Sequence, residues 1–208
     1  NQYGDPVDIL ESGYVRFYEL LGFIPKTISN FTKNVEMIFN KKRDLLIVVG
    51  GGSLPPQLYD RPHEDELQPN RDRMEEQVIH YCVAHGIPII ATCRGMQYIN
   101  VMFGGKLWYH PKLPVNRTRG VDHQVWLVKE QRNIWVNNYH SDCIYEEGLA
   151  SCFEPLAIDR ENHVVEAYGS DEMKILALQW HPERRFETAN AYEETRKIIL
   201  DFIQKYVK

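Results

Sequence analysis

Cys93 is the residue of this chain whose position most favours chemistry. It lies where an apolar run over residues 87–91 gives way to a helical pattern. Small residues, Ala91 and Gly95, stand two positions before and after it, as the tight turn of a nucleophile elbow requires. Such a turn exposes the sulfur over the start of a helix, whose partial positive charge favours thiolate over thiol. The spacing predicts a nucleophile, although free cysteines are mostly small buried residues and this pattern alone leaves both interpretations open.

A histidine and a glutamate follow a second apolar run, over residues 174–180. A thiolate nucleophile needs a base that accepts and returns a proton, and the base needs an anion that holds its tautomer. His181 and Glu183 could fill these roles, and Pro182 between them restricts the backbone. A strand-end histidine that is simply hydrogen-bonded in the core is the alternative for His181 alone.

Three glycines, Gly50 to Gly52, follow a third apolar run over residues 44–49. Without a Cβ, their backbone N–H groups could approach a ligand closely. Together with the N–H of Arg94 they could bind the oxyanion of a tetrahedral intermediate. A tight turn without a ligand is the alternative. A phosphate loop is disfavoured because no Gly-Lys-Ser/Thr sequence follows.

Alternating strand and helix patterns surround these residues. Hydrophobic periodicity predicts a helix after Cys93, helices over residues 8–21, 32–39, 71–85 and 188–207, and strands over residues 23–28, 44–49, 87–91, 124–128, 133–137, 153–159, 163–168 and 174–180. Strand–helix alternation in the first half is typical of a doubly wound α/β sheet. We find no repeat or linker, and we expect one domain over residues 1–208. The expected fold is α/β, with a mostly parallel sheet, helices on both faces and a small antiparallel extension.

Composition narrows the classes of function. The 208 residues, 43% hydrophobic and 25% charged, suit one soluble domain. A net charge of −5 argues against a nucleic-acid partner, and no apolar run approaches the roughly 20 residues that span a bilayer. Four cysteines without CxxC spacing and histidines without ligand spacing predict no metal site. With no secretory leader visible, we expect a cytoplasmic protein. Homo-oligomerisation stays open.

Four motifs together resemble a known superfamily. They are Val49–Gly52, Ala91–Gln97, Asn137–Ser141 and Gln179–Glu183, and their order and approximate spacing are similar to those of class I glutamine amidotransferase-like proteins. Within this superfamily the chain looks most like the γ-glutamyl hydrolase branch (peptidase C26, the γ-glutamyl-GABA hydrolase type). The resemblance covers nearly the whole chain.

The resemblance implies roles by position. Cys93 would be the nucleophile, His181 the base and Glu183 its orienting carboxylate. Gly51 or Gly52 and Arg94 would supply the oxyanion-hole N–H groups. The substrate's glutamyl group would be held by Gln97 and by the backbone around three consecutive residues, Tyr139, His140 and Ser141. No cofactor is implied.

The chain also departs from the family pattern. Ala91 stands where glycine is usual, which implies mild crowding of the elbow. Arg184 and Arg185 follow Glu183 where the γ-glutamyl-GABA hydrolase type tends to have an aromatic residue. They could bind a phosphate or carboxylate of the leaving group, or they could be an exposed basic pair. A strand that opens the family's sequences is expected to be absent from this chain or hidden, since the chain begins at Asn1.

The expected activity is hydrolysis of the γ-glutamyl amide bond of a small conjugate, through a Cys-His-Glu triad and a glutamyl thioester, with release of glutamate. The leaving group could be anionic or nucleotide-linked. One alternative is a glutaminase subunit that delivers ammonia to a separate synthetase partner. Another is a non-catalytic protein that binds a γ-glutamyl ligand.

Overall fold

Seven strands and four α-helices form the part of the chain that the computed structural model describes, residues 4–40, 43–59, 67–109 and 119–207. The helices are α1 (Ser12–Leu20), α2 (Pro69–His85), α3 (Arg94–Met102) and α4 (Ala191–Tyr206). The strands are β1 (Leu46–Val48), β2 (Ile89–Thr92), β3 (His123–Leu127), β4 (Arg132–Val136), β5 (Glu154–Asp159), β6 (Val164–Ser170) and β7 (Ile175–Leu178). None of the described helices is both long enough and apolar enough to cross a bilayer.

Two predicted elements near the start of the chain are wrong. Residues 23–28 form no strand, and Ile24 in their middle is 86% exposed. The neighbouring Pro25 lacks the N–H that a strand ladder needs. The helix predicted over residues 32–39 is reduced to a single 3₁₀ turn, Val35–Met37. Met37 is 80% exposed, so the apolar residues there do not form one buried helical face.

The strands form a single sheet in the order β1-β2-β7-β6-β5-β3-β4. β1, β2 and β7 are mutually parallel, while the other described pairings are antiparallel. The predicted α/β fold is therefore confirmed, but the antiparallel part is larger than the small extension that we expected. Short turns join β3 to β4, β5 to β6 and β6 to β7, and a short turn can only return the chain antiparallel to its neighbour.

Helices cover both faces of the sheet, as predicted. Alternate residues of β2 and β7 enter different cores, because successive side chains of a strand point to opposite faces. Residues 89, 91, 175 and 177 pack with α2 and α3 on one face. Residues 90, 176 and 178 pack with α1 and α4 on the other face. Both β2 and β7 are fully buried, which explains why their sequences are continuous apolar runs.

The parallel strands bring three distant segments to one edge of the sheet. Val48 of β1 pairs with Ala91 of β2, and Thr92 of β2 pairs with Leu178 of β7. The carboxyl ends of parallel strands meet at the same edge, where open α/β sheets bind ligands. Trp180, just beyond β7, is fully buried and donates from Nε1 to the Thr195 hydroxyl of α4 at 3.1 Å. This bond fixes the chain immediately before His181.

Candidate active site

Cys93 occupies a sharp turn between β2 and α3. Its backbone has φ 50° and ψ −107°, a conformation that costs free energy for any residue with a side chain. The turn is held because the Cys93 N–H donates to the Leu178 carbonyl at 2.7 Å. A Cβ at Gly95 would lie 2.5 Å from the Val48 carbonyl oxygen, so only glycine fits there. This strained turn is the elbow that the spacing predicts, and the buried Ala91 is accommodated within it.

Gly50 marks the point at which the predicted nucleophile and the predicted base converge. A Cβ built on Gly50 would lie 2.8 Å from Cε1 of His181 and 3.6 Å from Cβ of Cys93. The Cys93 sulfur is close enough to help raise the pKa of His181. The glycine after β1 is thus required by the close approach of these two side chains.

Glu183 and Asn137 hold His181 in place. His181 Nδ1 and Glu183 Oε1 are 2.6 Å apart, and the two side chains are only 4% and 0% exposed. Asn137 Nδ2 donates to the His181 carbonyl at 2.8 Å, and Asn137 Oδ1 accepts from the His181 N–H at 2.9 Å. Because Nδ1 faces a carboxylate, Nε2 is the ring nitrogen left for the sulfur. Asn137 lies in one of the four motifs, but its position in the sequence predicted no role for it.

The surroundings of His181 favour its protonated form. Burial opposes the charge most strongly, but the Cys93 sulfur and the Glu183 carboxylate outweigh burial through charge and hydrogen bonds, and they raise the pKa of His181 to about 9. At neutral pH the site therefore holds an imidazolium beside the sulfur, as a thiolate nucleophile and a general acid require.

Tyr14 of α1 is a site residue that the sequence reasoning missed. Its hydroxyl accepts a hydrogen bond from the Gly50 N–H at 2.8 Å and interacts with the Glu183 carboxylate. Burial first, and then the charge of Glu183, raises the pKa of Tyr14 far above its ordinary value, so the hydroxyl keeps its proton. Its neighbour Gly13 packs so closely on Glu183 that a Cβ there would lie 3.2 Å from the Glu183 carbonyl oxygen. No spacing signal links α1 to the other motifs.

The loop after β1 and the start of α3 contain the predicted oxyanion-hole donors. Arg94 begins α3, so helical hydrogen bonding leaves its backbone N–H unused. The Gly50 N–H is occupied by Tyr14, which leaves Gly51 and Gly52 as the predicted donors of this loop. The Arg94 side chain is 1% exposed and lies away from solvent between two carboxylates of α2, Asp72 and Glu75. Burial raises the pKa of Asp72, and the Arg94 charge partly offsets that effect.

Two of the predicted substrate-binding residues, Gln97 and His140, contact the same backbone carbonyl, that of Asp142. The Gln97 side-chain amide, one turn along α3, donates from Nε2 to the Asp142 carbonyl at 3.0 Å and to Gln179 Oε1 at 3.2 Å. His140 is buried, with Nδ1 3.1 Å from the Asp142 carbonyl oxygen and Nε2 3.5 Å from the buried Glu166. Its ring thus faces protein groups, as expected for a positioning residue. Ser141 lies half-buried in the same turn.

Tyr139 and Arg184 form the outer wall of the site. The Tyr139 ring packs edge-on against the His181 ring at 5.6 Å, and the Arg184 guanidinium lies 4.6 Å from the centre of the Tyr139 ring. Arg184 also pairs with Glu11 at 2.9 Å, while its side chain remains 30% exposed. Arg185 is exposed. The two arginines therefore differ in position: Arg184 contacts a residue of the site, Tyr139, whereas Arg185 faces solvent.

No group of three or more metal-ligating side chains is placed to hold a metal ion in the described ranges of the chain.

Residues 2–183 match a family model described as Peptidase C26. The candidate glutamine amidotransferase-like protein YvdE of Lactococcus lactis is 30% identical over 164 residues, which cover 70% of this chain and 68% of that protein. The γ-glutamyl-γ-aminobutyrate hydrolase PuuD of Escherichia coli is 26% identical over 175 residues, which cover 72% of this chain and 67% of that enzyme.

Among solved structures, a candidate GMP synthase component from Thermoplasma acidophilum superposes with a TM-score of 0.65 at 20% identity, over 93% of this chain and 88% of that chain. At this identity the likeness shows a shared fold.

Proposed function

The chain belongs to the peptidase C26 family, and from that membership and the site's geometry we propose that it is a cysteine-dependent hydrolase that cleaves γ-glutamyl amide bonds. One observation carries the proposal. A buried imidazole whose pKa is raised to about 9 lies between a carboxylate at 2.6 Å and the sulfur of a cysteine in a strained elbow. A core histidine or a packing cysteine would need neither the strain nor the ion pair.

The proposed first half-reaction forms a thioester. The Cys93 thiolate attacks the γ-carbonyl carbon, and the negative charge of the tetrahedral intermediate is stabilised by the N–H groups of Arg94 and of Gly51 or Gly52. The protonated His181 then donates its proton to the leaving nitrogen as the carbon–nitrogen bond breaks. A free amine departs and a γ-glutamyl thioester remains on Cys93.

The second half-reaction releases glutamate. The now neutral His181 takes a proton from a water molecule, which attacks the thioester carbonyl. The second tetrahedral intermediate collapses with departure of the Cys93 thiolate, and the thiolate–imidazolium pair is restored. Glu183 stays ionised throughout and stabilises the imidazolium that each cycle regenerates.

Recognition of the glutamyl group is assigned to the pocket beyond Cys93. Both hydrogens of the Gln97 amide are used within the protein, so its carbonyl oxygen is the group that can accept from the substrate's α-ammonium. The backbone around Tyr139, His140 and Ser141 would bind the α-carboxylate. Because His140 is itself held by Asp142 and Glu166, this stretch of backbone is held in place before substrate binds.

Arg184 is the residue we assign to the leaving group. Its guanidinium lies over Tyr139 at the open side of the site. Its Nη2 pairs with Glu11, which is 59% exposed, and its Nε lies 3.7 Å from Glu183 Oε1. An exposed ion pair contributes little to stability, so an anionic group on the substrate could replace Glu11 as the partner of Arg184 with little loss of free energy. This placement favours a γ-glutamyl conjugate with a phosphate or carboxylate on its amine.

The experiment compares wild type with Cys93→Ala and, as a matched control, Cys152→Ala, since Cys152 is an exposed free cysteine. Each protein is given glutamine, γ-glutamyl-γ-aminobutyrate and a phosphorylated γ-glutamyl amine, and glutamate release is measured. We expect turnover by wild type and by Cys152→Ala but none by Cys93→Ala. Hydroxylamine should trap the thioester as γ-glutamyl hydroxamate. Equal turnover by Cys93→Ala would overturn the proposal.

The same panel tests a glutaminase subunit, which the likeness to a candidate glutamine amidotransferase-like relative favours. A protein of that kind would release negligible glutamate from any substrate until a synthetase partner is added. A hydrolase would turn over at least one conjugate unaided.

A further inference from the structure

The glycine loop after β1 is anchored by a side chain of α2 that the proposed mechanism does not use. Arg71 Nη2 donates to the carbonyl oxygen of Val49 at 2.7 Å and to that of Gly50 at 2.9 Å. The guanidinium lies so close to Gly51 that a Cβ there would be 2.1 Å from Nη1. Two consecutive carbonyls therefore point towards one nitrogen of Arg71.

Because Arg71 fixes the direction of these two carbonyls, it also fixes the direction of the N–H groups in the same peptide units. In a trans peptide the N–H points opposite to the carbonyl of the same unit, and no described peptide bond is cis. The Gly50 N–H follows this rule, because it points away from Arg71 and donates to the Tyr14 hydroxyl at 2.8 Å. The Gly51 N–H belongs to the unit whose carbonyl Arg71 also holds, and it too must point away from Arg71. His181 and Cys93 flank the same loop at Gly50, where a built Cβ would lie 2.8 Å from His181 Cε1 and 3.6 Å from Cys93 Cβ.

Arg71 is itself held by a residue that reaches the other half of the predicted oxyanion hole. Its Nε donates to Glu75 Oε1 at 2.6 Å, and its Nη1 donates to Gln68 Oε1 at 3.1 Å. The second oxygen of Glu75 accepts from Arg94 Nη1 at 2.5 Å. One carboxylate of α2 thus links the glycine loop to Arg94, whose backbone N–H is the other predicted donor.

We propose that Arg71, supported by Glu75, is a positioning residue that fixes the Gly50–Gly51 peptide so that the Gly51 N–H faces the developing oxyanion. The inference rests on the proposed function and names Gly51, rather than Gly52, as the donor of this loop. Without the two charge-assisted bonds, the peptide between two glycines can rotate, and a rotated unit would present a carbonyl oxygen to the oxyanion. Arg71 touches neither the substrate nor the sulfur, and its effect passes through the loop.

The test compares Arg71→Met with Arg73→Met. Arg73 lies on the same helix, is exposed, and donates only to the neighbouring Asn70 at 2.9 Å among the hydrogen bonds described for it. Because loss of an oxyanion donor lowers kcat about 10²–10³-fold, we expect Arg71→Met to lower kcat roughly 10–100-fold with KM changed less than about threefold. Arg73→Met should behave as wild type.

Alkylation of Cys93 by iodoacetamide separates positioning from general damage. In that reaction the thiolate displaces iodide and no oxyanion forms, so the rate reports the sulfur and His181 but not the oxyanion hole. The Cys93 peptide is followed by mass spectrometry. We expect Arg71→Met to be alkylated at the wild-type rate although its hydrolysis is slow. A parallel fall of both rates would mean that the site is distorted, and would overturn the proposal.

Gly51→Ala is a second way to disrupt the contact between Arg71 and the glycine loop, because the alanine Cβ would displace the Arg71 guanidinium. The double variant should lose hardly more activity than either single variant, whereas additive losses would contradict a shared mechanism. Failure of the proposed function is distinguishable, since wild type itself would then release no glutamate. Wild-type turnover with full kcat in Arg71→Met would overturn this inference alone.

Discussion

Replacement of Glu183 by glutamine tests the electrostatic design of the site most directly. Glu183 Oε1 is 2.6 Å from His181 Nδ1, and the Glu183 side chain is wholly buried. Glutamine keeps the size of the side chain and an acceptor oxygen but removes the negative charge. The variant therefore changes the cost of protonating His181 while it leaves the packing against Gly13 nearly unchanged.

The magnitude follows from the hydrogen bond that is weakened. A hydrogen bond to a charged group contributes about 1.5–3 kcal/mol, and 1.36 kcal/mol corresponds to one pH unit, so the pKa of His181 should fall by about 1–2 units. In wild type that pKa is about 9, raised by Cys93 and Glu183 against the opposing effect of burial. In the proposed mechanism, the protonated His181 is required for departure of the amine. Activity is therefore present below this pKa and is lost as the pH rises through it.

The assay is the pH profile of kcat/KM, which reports the ionisations of the free enzyme. We expect the alkaline limb to lie near pH 9 in wild type and at roughly pH 7–8 in Glu183→Gln, with the maximum reduced about 10²–10⁴-fold. Glu187→Gln, an exposed glutamate nearby, serves as the control and should keep the wild-type profile. An alkaline limb that stays near pH 9 in Glu183→Gln would refute the reasoning, because the carboxylate would then not support the imidazolium.

Three further perturbations have distinct expected outcomes. Tyr14→Phe leaves the Gly50 N–H without its acceptor and should lower kcat about 10–100-fold. The control is Tyr18→Phe, which should keep the wild-type kcat because the buried Tyr18 hydroxyl has no hydrogen-bond partner among the described residues. Equal effects of the two substitutions would contradict the role of Tyr14. Gly95→Ala places a Cβ against the backbone of β1 and should lower the free energy of unfolding, measured in urea, by at least about 2 kcal/mol. The control Gly104→Ala should lower it by about 1 kcal/mol, because only the positive φ of Gly104 opposes alanine. Arg184→Met should raise KM roughly tenfold for a phosphorylated γ-glutamyl amine but hardly at all for a neutral one, and an equal effect on both would show that Arg184 does not contact the leaving group.

The parts of the fold that were predicted correctly are those with strong local signals. The apolar runs before Cys93 and His181 are strands because a fully buried strand has no polar face, and the run before Gly50 is a strand in which only the central residue is half-buried. Helices α2 and α4 lie within a few residues of their predicted ranges, and Gly86 ends α2 in the left-handed conformation that glycine favours. The strand predicted over residues 23–28 failed because its apolar residues are not buried together.

The sequence by itself determined where the candidate site residues lie along the chain. The small residues around Cys93, the His-Pro-Glu sequence after β7 and the glycines after β1 are local patterns. Each lies at the end of its own strand. Such patterns can be recognised without knowledge of which strands are neighbours.

Only the tertiary structure decided which groups act on one another. The order β1-β2-β7 places Gly50, Cys93 and His181 at one edge, and packing of α1 and α2 on opposite faces brings Tyr14 and Arg71 to the same glycine loop. These contacts join segments far apart in sequence, and each contact depends on how helices and strands of unrelated local pattern pack together. The physical reason is that a hydrogen bond between distant residues leaves no periodic trace in either segment.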